Sequence, residues 1–396
     1  MTPSTWGVRE ARSALGPWAD DLEDEETVDR YAAAAWSVIA EPGDGVAGAL
    51  VAAFGRLEAL RMITGDGLLT GVADARTMAR AQERWRPRID PGAVAAALRT
   101  ARASATRLIL PGDREWPEAL DDLGVHAPLC VWVRGDPEHL VAVRPSVAIV
   151  GARAATAYGE HIAVELAAGM VSRDVTVVSG GAYGIDGAAH RAVLRAGGLT
   201  IALLAGGADR AYPAGHTGML ADIASTGAVV SEVPCGTAPT RWRFLQRNRL
   251  IAALSDATVV VEAGWRSGSL NTAGHAAALG RPLGAVPGPV TSAASAGCHR
   301  LLREYDAECI TAVDDLADMI GACAGDARAG RGSAAEAPAE ADARRVRDAL
   351  SSRSPRSLAD LARRTGLSES DVSGRLGVLE LEGRARRSAE GWMRGG

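Results

Sequence analysis

The 396-residue chain contains no lysine, so arginine supplies every permanently positive side chain. This absence excludes the GxxxxGK[ST] loop of P-loop nucleotidases, in which a lysine binds the nucleotide phosphates. The five cysteines are scattered without a CxxC pair, which argues against a zinc site or a disulfide framework and favours a reducing compartment. Because no run of 18 apolar residues and no signal-peptide pattern is present, we expect a cytoplasmic protein with no membrane span, metal or cofactor.

The net charge of −5 gives the protein no overall positive field that would attract DNA. Nucleic-acid binding would therefore need a local cluster of basic groups, and it should weaken as the salt concentration rises. Hydrophobic residues make up 47% of the chain and charged residues 23%, which is the composition of an ordinary globular protein. A chain of this length should contain two or three domains.

Residue patterns divide the chain into regions. Residues 1–105 are rich in Ala and Leu at helical spacing, which predicts an N-terminal helical domain of the SAM or helix-hairpin-like kind. In residues 106–320, helical stretches alternate with short apolar runs that mostly end in glycine. This alternation predicts an α/β fold, an extended Rossmann-like parallel sheet covered by helices on both faces. Residues 321–341 are rich in Ala, Gly, Glu and Pro and predict a flexible linker. The strand-like runs are LCVWVRG (129–135), SVAIVG (146–151), VTVVSG (175–180), TIALLAG (200–206), AVVSEV (228–233), ATVVVEAG (257–264) and LGAVPG (283–288).

The C-terminal region, residues 342–396, resembles a winged helix-turn-helix domain. Three short helical patterns are followed by a possible β-wing, with Gly366 at the tight turn and Ser368 as a helix cap. The helix after that turn carries Glu369 and Asp371, which make a poor surface for DNA phosphates. We therefore do not expect this domain to recognise a DNA sequence.

One segment, PTRWRFLQRNRLIAALS (239–255), places four arginines around two aromatic residues. Arginine binds phosphate oxygens and an aromatic face accepts any nucleobase, so the combination suits single-stranded nucleic acid. In a helix, Arg241 and Phe244 would share a face with Arg247 or Asn248, because positions three and four apart are neighbours. The alternative is a basic helix end that is merely exposed to solvent.

Glycine-rich loops follow three of the predicted strands, at 151–159, 179–186 and 262–274. The carboxyl ends of parallel strands meet at one edge of a sheet, and the helices that begin there favour anions. Since Arg153 and Arg266 lie in two of these loops, we expect the loops to bind phosphate groups together. The first loop lacks GxGxxG and the next strand lacks the acidic residue that holds a ribose hydroxyl, which argues against an NAD-dependent dehydrogenase.

Together these motifs resemble the DNA-processing protein A family (DprA, also called Smf). The resemblance covers about residues 105–315 and rests on SVAIVGARAATAYG, SGGAYGIDGAAHRAVL, GGADRAYP, FLQRNRLIAALS, VVVEAGWRSGSLNTAGHAAALGR and AVPG, in this order. It implies an extended Rossmann-like domain that forms a homodimer and binds single-stranded DNA. It also implies a non-enzymatic role in natural transformation and homologous recombination. Family members protect single-stranded DNA, help load the RecA recombinase and displace single-strand-binding protein.

The resemblance also implies which residues bind DNA. Arg153 corresponds to the family's phosphate-binding arginine, and Phe244 corresponds to its base-stacking aromatic residue. Arg247 and Asn248 are the RN of its FxxRN motif. The complete set of expected DNA-binding residues is Gly151, Arg153, Ser179, Gly180, Gly181, Tyr183, Arg241, Phe244, Arg247, Asn248, Arg266, Ser267, Gly268 and Ser269.

Three positions depart from the family pattern. Ala152 stands where Ser is usual, Tyr183 where Lys or Arg is common, and His299 where Asn is usual. These departures remove a hydroxyl group and a phosphate contact, while Tyr183 offers a further stacking face. We expect the pocket itself to remain.

Two other functions stay open. The plan of sheet and loops is also similar to nucleotide-processing hydrolases of the lysine-decarboxylase-like group, which release a base from a nucleoside monophosphate. Those enzymes carry a catalytic Glu in a PGGxGTxxE loop, and His275 stands at the comparable position here. Glu262 and Asp186 are other candidate carboxylates. The second alternative is a structural or signalling protein that senses a nucleotide in the same pocket.

Overall fold

The computed structural model describes residues 6–65, 72–143, 145–330, 346–347, 349–352, 354–365, 367–381, 383–388 and 390–395. The chain divides into two compact units, Met1–Ala324 and Gly325–Gly396. Among the described residues, no helix is both long and apolar enough to cross a membrane.

A nine-stranded, mostly parallel sheet forms the centre of the first unit. Its strands are β1 (Thr106–Ile109), β2 (Val131–Gly135), β3 (Ser146–Val150), β4 (Thr176–Ser179), β5 (Thr200–Leu204), β6 (Ala228–Ser231), β7 (Ala257–Val260), β8 (Leu283–Ala285) and β9 (Glu308–Cys309). They lie in the order β1-β2-β6-β5-β4-β3-β7-β8-β9. The seven predicted strand runs are confirmed, because each of them contains one of the strands β2 to β8.

The predicted parallel sheet is confirmed for most of its strands, and one edge is antiparallel. Neighbours from β6 to β9 are parallel, but β2 runs antiparallel to both β6 and β1. The apolar run of β2 could not reveal its direction, since a strand buried on both faces looks the same in either orientation. Strands β1 and β9 were not predicted, because they are short and carry no apolar alternation long enough to detect.

Helices pack on both faces of this sheet, as predicted. The α-helices that begin in the first unit are α1 (Val8–Leu15), α2 (Asp24–Ile39), α3 (Gly45–Phe54), α4 (Arg56–Thr64), α5 (Ala75–Trp85), α6 (Pro91–Ala103), α7 (Glu138–Val141), α8 (Ala157–Val171), α9 (Ile185–Ala196), α10 (Thr217–Thr226), α11 (Arg241–Leu254), α12 (Ser269–Ala278), α13 (Ala296–Glu304) and α14 (Val313–Gly330), which runs past the boundary at Ala324. Side chains of β3 alternate between the faces, because Val147 and Ile149 pack with α8, α9 and α14, whereas Ala148 and Val150 pack with α11, α12 and α13.

The N-terminal helices share an apolar core with the sheet. Trp36 of α2 and Trp85 of α5 meet edge to face with ring centroids 5.6 Å apart. Both belong to the same buried cluster as Trp132 of β2. The helical region expected at residues 1–105 therefore packs as part of the first unit.

The second unit contains a helix pair and a β-hairpin, which agrees with the expected winged-helix architecture. Its elements are α15 (Leu358–Thr365), α16 (Glu369–Leu381), β10 (Ala385–Ser388) and β11 (Gly391–Arg394). The Ser368 hydroxyl accepts a hydrogen bond from the Asp371 N–H at 3.1 Å, which is the expected cap of α16. Gly366 and half of the first predicted helix, residues 343–350, lie outside the described residues. Helix α14 continues to Gly330, into the predicted linker, and residues 331–341 also lie outside the described part.

Strand β3 lies where the strand order of the sheet reverses. The chain adds β4, β5 and β6 on one side of β3 and then returns to add β7, β8 and β9 on the other. The connections that leave β3 and β7 therefore diverge to opposite sides and open a crevice at the carboxyl ends of these strands. Open parallel sheets bind their ligands at such a crevice.

Candidate nucleic-acid interface

A cavity of about 780 Å³ occupies the crevice between β3 and β7. Its walls come from the loop after β3, the first turns of α11, and the loop that joins β7 to α12. The cavity therefore brings together the first and third predicted glycine loops and the arginine-rich segment, which are far apart in the chain.

The loop after β3 is held from below by Glu262. The carboxylate of Glu262 accepts hydrogen bonds from the Thr156 N–H and the Thr156 hydroxyl, both at 2.8 Å, and its carbonyl accepts the Ala152 N–H at 2.7 Å. A Cβ at Gly151 would lie 2.5 Å from the Ile185 side chain, so only glycine allows this close packing. Glu262 thus fixes the loop from a buried position, and both of its carboxylate oxygens are occupied.

The Phe244 ring, which packs against the Arg153 guanidinium, forms one wall of the cavity. The Arg153 guanidinium lies 4.5 Å from the centroid of the Phe244 ring, and the Tyr212 ring lies 5.5 Å from it. Arg153 itself is exposed, so its N–H groups face solvent while the ring fixes the position of the group. Phe244 follows Thr240, whose hydroxyl caps α11 by accepting the Arg243 N–H at 3.3 Å.

Arg247 lies beneath this wall and is buried. It donates hydrogen bonds to the carbonyl of Gly180, at 2.6 Å, and to the carbonyl of Leu203, so it ties α11 to the ends of β4 and β5. Burial lowers the pKa of Arg247 to about 10, although the nearby Asp186 carboxylate raises it, and the group remains protonated at neutral pH. Arg247 lines the cavity and supplies positive charge there, although the residue is buried. A direct contact between Arg247 and phosphate stays a prediction.

Two of the other three arginines of the segment have structural partners. Arg243 is ion-paired with Glu41 at 2.8 Å, and buried Arg249 is ion-paired with Glu232 at 2.6 Å. Among the residues that the structure describes, Arg241 has no hydrogen bond or ion pair, and it is exposed at the cavity. The run of four arginines therefore contributes one free guanidinium to the site, where the sequence suggested a larger basic cluster.

The loop before α12 supplies the opposite wall. Arg266 is exposed there and has no ion pair among the described residues, while the hydroxyl groups of Ser267 and Ser269 lie 2.8 Å apart. The Asn248 amide holds this loop to α11 by donating to the Gly268 carbonyl at 3.2 Å. The N–H groups of Ser269, Leu270 and Asn271, which begin α12, donate to the Ser267 hydroxyl, the Ser267 carbonyl and the Gly268 carbonyl at 3.4, 3.3 and 3.1 Å. Helix α12 therefore presents the positive end of its dipole at the cavity edge.

The second glycine loop contributes less than expected. Of the 14 expected residues, ten line the cavity, whereas Ser179, Gly180, Gly181 and Tyr183 do not. The Ser179 hydroxyl is buried and donates to the Ile149 carbonyl at 2.6 Å. Tyr183 is exposed and packs edge-on against His216, with ring centroids 4.7 Å apart. Only Ala182 and Asp186 of the 179–186 loop line the cavity.

Several lining residues were not assigned to the site from sequence. Tyr212 and Thr240 line the cavity; Tyr212 belongs to the GGADRAYP motif, which was the available signal for it. Asp186 also lines it and is the one acidic residue of the described lining. Burial raises the pKa of Asp186, and the charges of Arg247 and Arg153 offset only part of this effect. The lining is thus dominated by positive charge despite the acidic composition of the whole chain.

Comparison with known proteins gives consistent matches over this region. The family model described as DNA recombination-mediator protein A matches residues 107–321, and that of the DprA winged helix domain matches residues 332–391. A putative DNA processing protein DprA of Mycobacterium tuberculosis is 52% identical, with 70% of this chain and 74% of that protein covered.

Two solved structures are also similar. DNA processing protein A of Streptococcus pneumoniae superposes with a TM-score of 0.59 at 30% identity, covering 73% of this chain and 97% of that one. The protein of the same name from Helicobacter pylori, described for its single-stranded DNA binding mode, has a TM-score of 0.50 at 29% identity. That second match covers 56% of this chain and 96% of the other.

Proposed function

The chain belongs to the DNA recombination-mediator protein A family, and we propose that its cavity binds single-stranded DNA. The observation that carries this proposal is the arrangement of three exposed arginines, Arg153, Arg241 and Arg266, with the Phe244 ring around one crevice. The Helicobacter pylori relative is described as binding single-stranded DNA, which supports the same class of ligand.

Each part of the cavity suits one part of a nucleotide. The exposed guanidinium groups bind phosphate oxygens through paired hydrogen bonds, and the start of α12 adds the positive end of the helix dipole. A base stacks on Phe244, which Arg153 holds in place. Duplex DNA offers no free base face, because its bases are stacked on one another, so single strands bind more tightly. Since every base has a π-face, sequence preference is weak.

We also propose that the cavity does no chemistry on the DNA. Both carboxylate oxygens of Glu262 are bound by Thr156, and Asp186 is buried next to Arg247. Neither carboxylate is therefore placed as an exposed general acid or base. His275 does not line the cavity. The hydrolase alternative predicts free base released from a nucleoside monophosphate, and chromatographic detection of that base with purified protein would overturn this part of the proposal.

In the cell, we propose that the protein acts in the cytoplasm as a homodimer. There it protects single strands during natural transformation and recombination, displaces single-strand-binding protein and helps load RecA. The relatives named DNA processing protein DprA in Streptococcus pneumoniae and Bacillus subtilis support a role in DNA handling. Adding the protein to DNA coated with single-strand-binding protein should raise the rate of ATP hydrolysis by RecA. Light scattering over a range of concentrations tests the dimer, and a monomer mass throughout would exclude it.

Fluorescence anisotropy with single- and double-stranded oligonucleotides at two salt concentrations tests the binding proposal. Single strands should bind more tightly, and Arg153→Gln and Arg241→Gln should each reduce the slope of log affinity against log salt by about 0.7. Arg195→Gln is the matched control, because Arg195 is exposed at the far end of α9 and does not line the cavity. Equal binding of duplex and single strand, or a wild-type slope in both Arg153→Gln and Arg241→Gln, would contradict the proposal.

A further inference from the structure

A second aromatic surface lies beside the cavity. Trp265 sits in the loop between β7 and α12, and its neighbours in sequence, Gly264 and Arg266, both line the cavity. Its side chain does not belong to the apolar core, since the residue is 61% exposed. A tryptophan exposed to this degree loses little water on folding, so core packing does not account for it.

A cation is fixed against this tryptophan. The guanidinium of Arg300, on α13, lies 5.6 Å from the centroid of the Trp265 ring and 5.6 Å from that of Tyr305. Its Nε donates to the Glu304 carboxylate at 2.7 Å, which holds the guanidinium in this position. Tyr305 is 40% exposed. Trp265, Arg300 and Tyr305 thus form a ladder of an aromatic ring, a guanidinium and a second aromatic ring, called here the Trp265 ladder.

The ladder is attached rigidly to the cavity wall. The Gly297 N–H, in the first turn of α13, donates to the Ala263 carbonyl at 2.7 Å, just before the loop that carries Trp265. A Cβ at Gly297 would lie 2.8 Å from the Ala263 side chain, so the two segments are in direct contact. This contact joins α13, which carries Arg300, to the segment that leads into the loop of Trp265 at the cavity wall.

We propose that the Trp265 ladder is a second stacking subsite, which binds a base of the nucleotides next to those held in the cavity. This inference rests on the proposed function and extends it. Alternating aromatic rings and guanidinium planes accept bases of any sequence, since both present flat faces to a nucleobase. A strand too short to leave the cavity gains nothing from the ladder, whereas a longer strand stacks on both Phe244 and Trp265.

The test compares oligothymidylates of about 4 and about 16 nucleotides, which span the site sizes of known single-strand-binding folds. Trp265→Ala should weaken binding of the longer strand by roughly 5- to 100-fold and leave binding of the shorter strand nearly unchanged. Trp265→Phe keeps a stacking face, so it should retain most of the affinity for the longer strand. In the wild type, the longer strand alone should quench the fluorescence of Trp265, and this quenching should be absent in Trp265→Phe. Phe54→Ala is the control, because it removes an exposed aromatic residue that does not line the cavity.

The outcomes separate this subsite from the proposed function. If Phe244→Ala weakens both strands but Trp265→Ala weakens neither, single-strand binding stands and the subsite is overturned. If Trp265→Ala weakens binding of both strands equally, Trp265 has a structural role and the subsite is overturned. The same conclusion follows if Trp265→Ala lowers the thermal unfolding midpoint, Trp265→Phe restores that midpoint, and the loss of binding does not depend on strand length. If the wild-type protein binds neither strand, the proposed function fails and the subsite fails with it.

Discussion

Replacing Phe244 with alanine is the sharpest test of how the cavity holds a nucleotide. In the structure, the Phe244 ring contacts the Arg153 guanidinium at 4.5 Å and the Tyr212 ring at 5.5 Å. Truncation removes the face on which a base stacks, and base–aromatic stacking is worth about 1–3 kcal/mol per base. The dissociation constant for a single strand should therefore rise roughly 5- to 100-fold.

Anisotropy titrations at several salt concentrations separate stacking from charge. Phe244→Ala should lower affinity without changing the salt slope, since no cationic group is removed, whereas Arg153→Gln should reduce the slope by about 0.7. Phe244→Tyr is the matched variant, because it keeps the ring and should bind within a few-fold of the wild type. Thermal unfolding of each variant checks that the fold is intact. Wild-type affinity in Phe244→Ala, or an equal loss in Phe244→Tyr, would refute stacking on this ring.

The remaining predictions concern the framework of the site. Arg247→Met should lower the thermal unfolding midpoint of the free protein by a few degrees in calorimetry. Two buried carbonyl groups lose their hydrogen-bond donor, and each unpaired carbonyl costs about 1–3 kcal/mol of folding free energy. An unchanged midpoint together with weakened DNA binding would instead make Arg247 a direct ligand contact. Gly184→Ala should prevent correct folding, because the φ of Gly184 is +76° and the new Cβ would lie 2.2 Å from a backbone carbonyl oxygen of the loop after β3. The control variant Gly218→Ala should be tolerated, because the space around Gly218 is open. Equal yields of folded protein from the two variants would contradict this prediction. Burial would raise the pKa of Glu41, but the hydrogen bond from Arg243 and the nearby arginine charges outweigh it and hold the pKa below 4.5. The stability that Glu41 adds should accordingly be complete above about pH 4.5 and disappear as the pH falls through the lowered pKa, so the gap in melting temperature between wild type and Glu41→Gln should close in acid.

The local identity of the elements was readable from residue order. Short β-branched runs ending in glycine predicted the strands from β2 to β8, and the helical spacing of residues 239–255 predicted α11 with Arg241 and Phe244 on one face. The order of the motifs was enough to indicate the family, because each motif reports a local backbone requirement. Gly151 is an example, since close packing against Ile185 leaves no room for a Cβ. Such requirements are local, and a sequence records them directly.

Only the tertiary structure shows which partner each arginine of residues 239–255 has. Arg241, Arg243, Arg247 and Arg249 look equivalent in sequence, yet one is exposed at the cavity, two are paired with Glu41 and Glu232, and one binds backbone carbonyls. These partners lie up to 202 positions away in the chain, so no local pattern could reveal them. A guanidinium is available to bind phosphate only when no carboxylate or carbonyl of the protein is paired with it. Whether such a partner is present depends on how distant segments of the chain pack together.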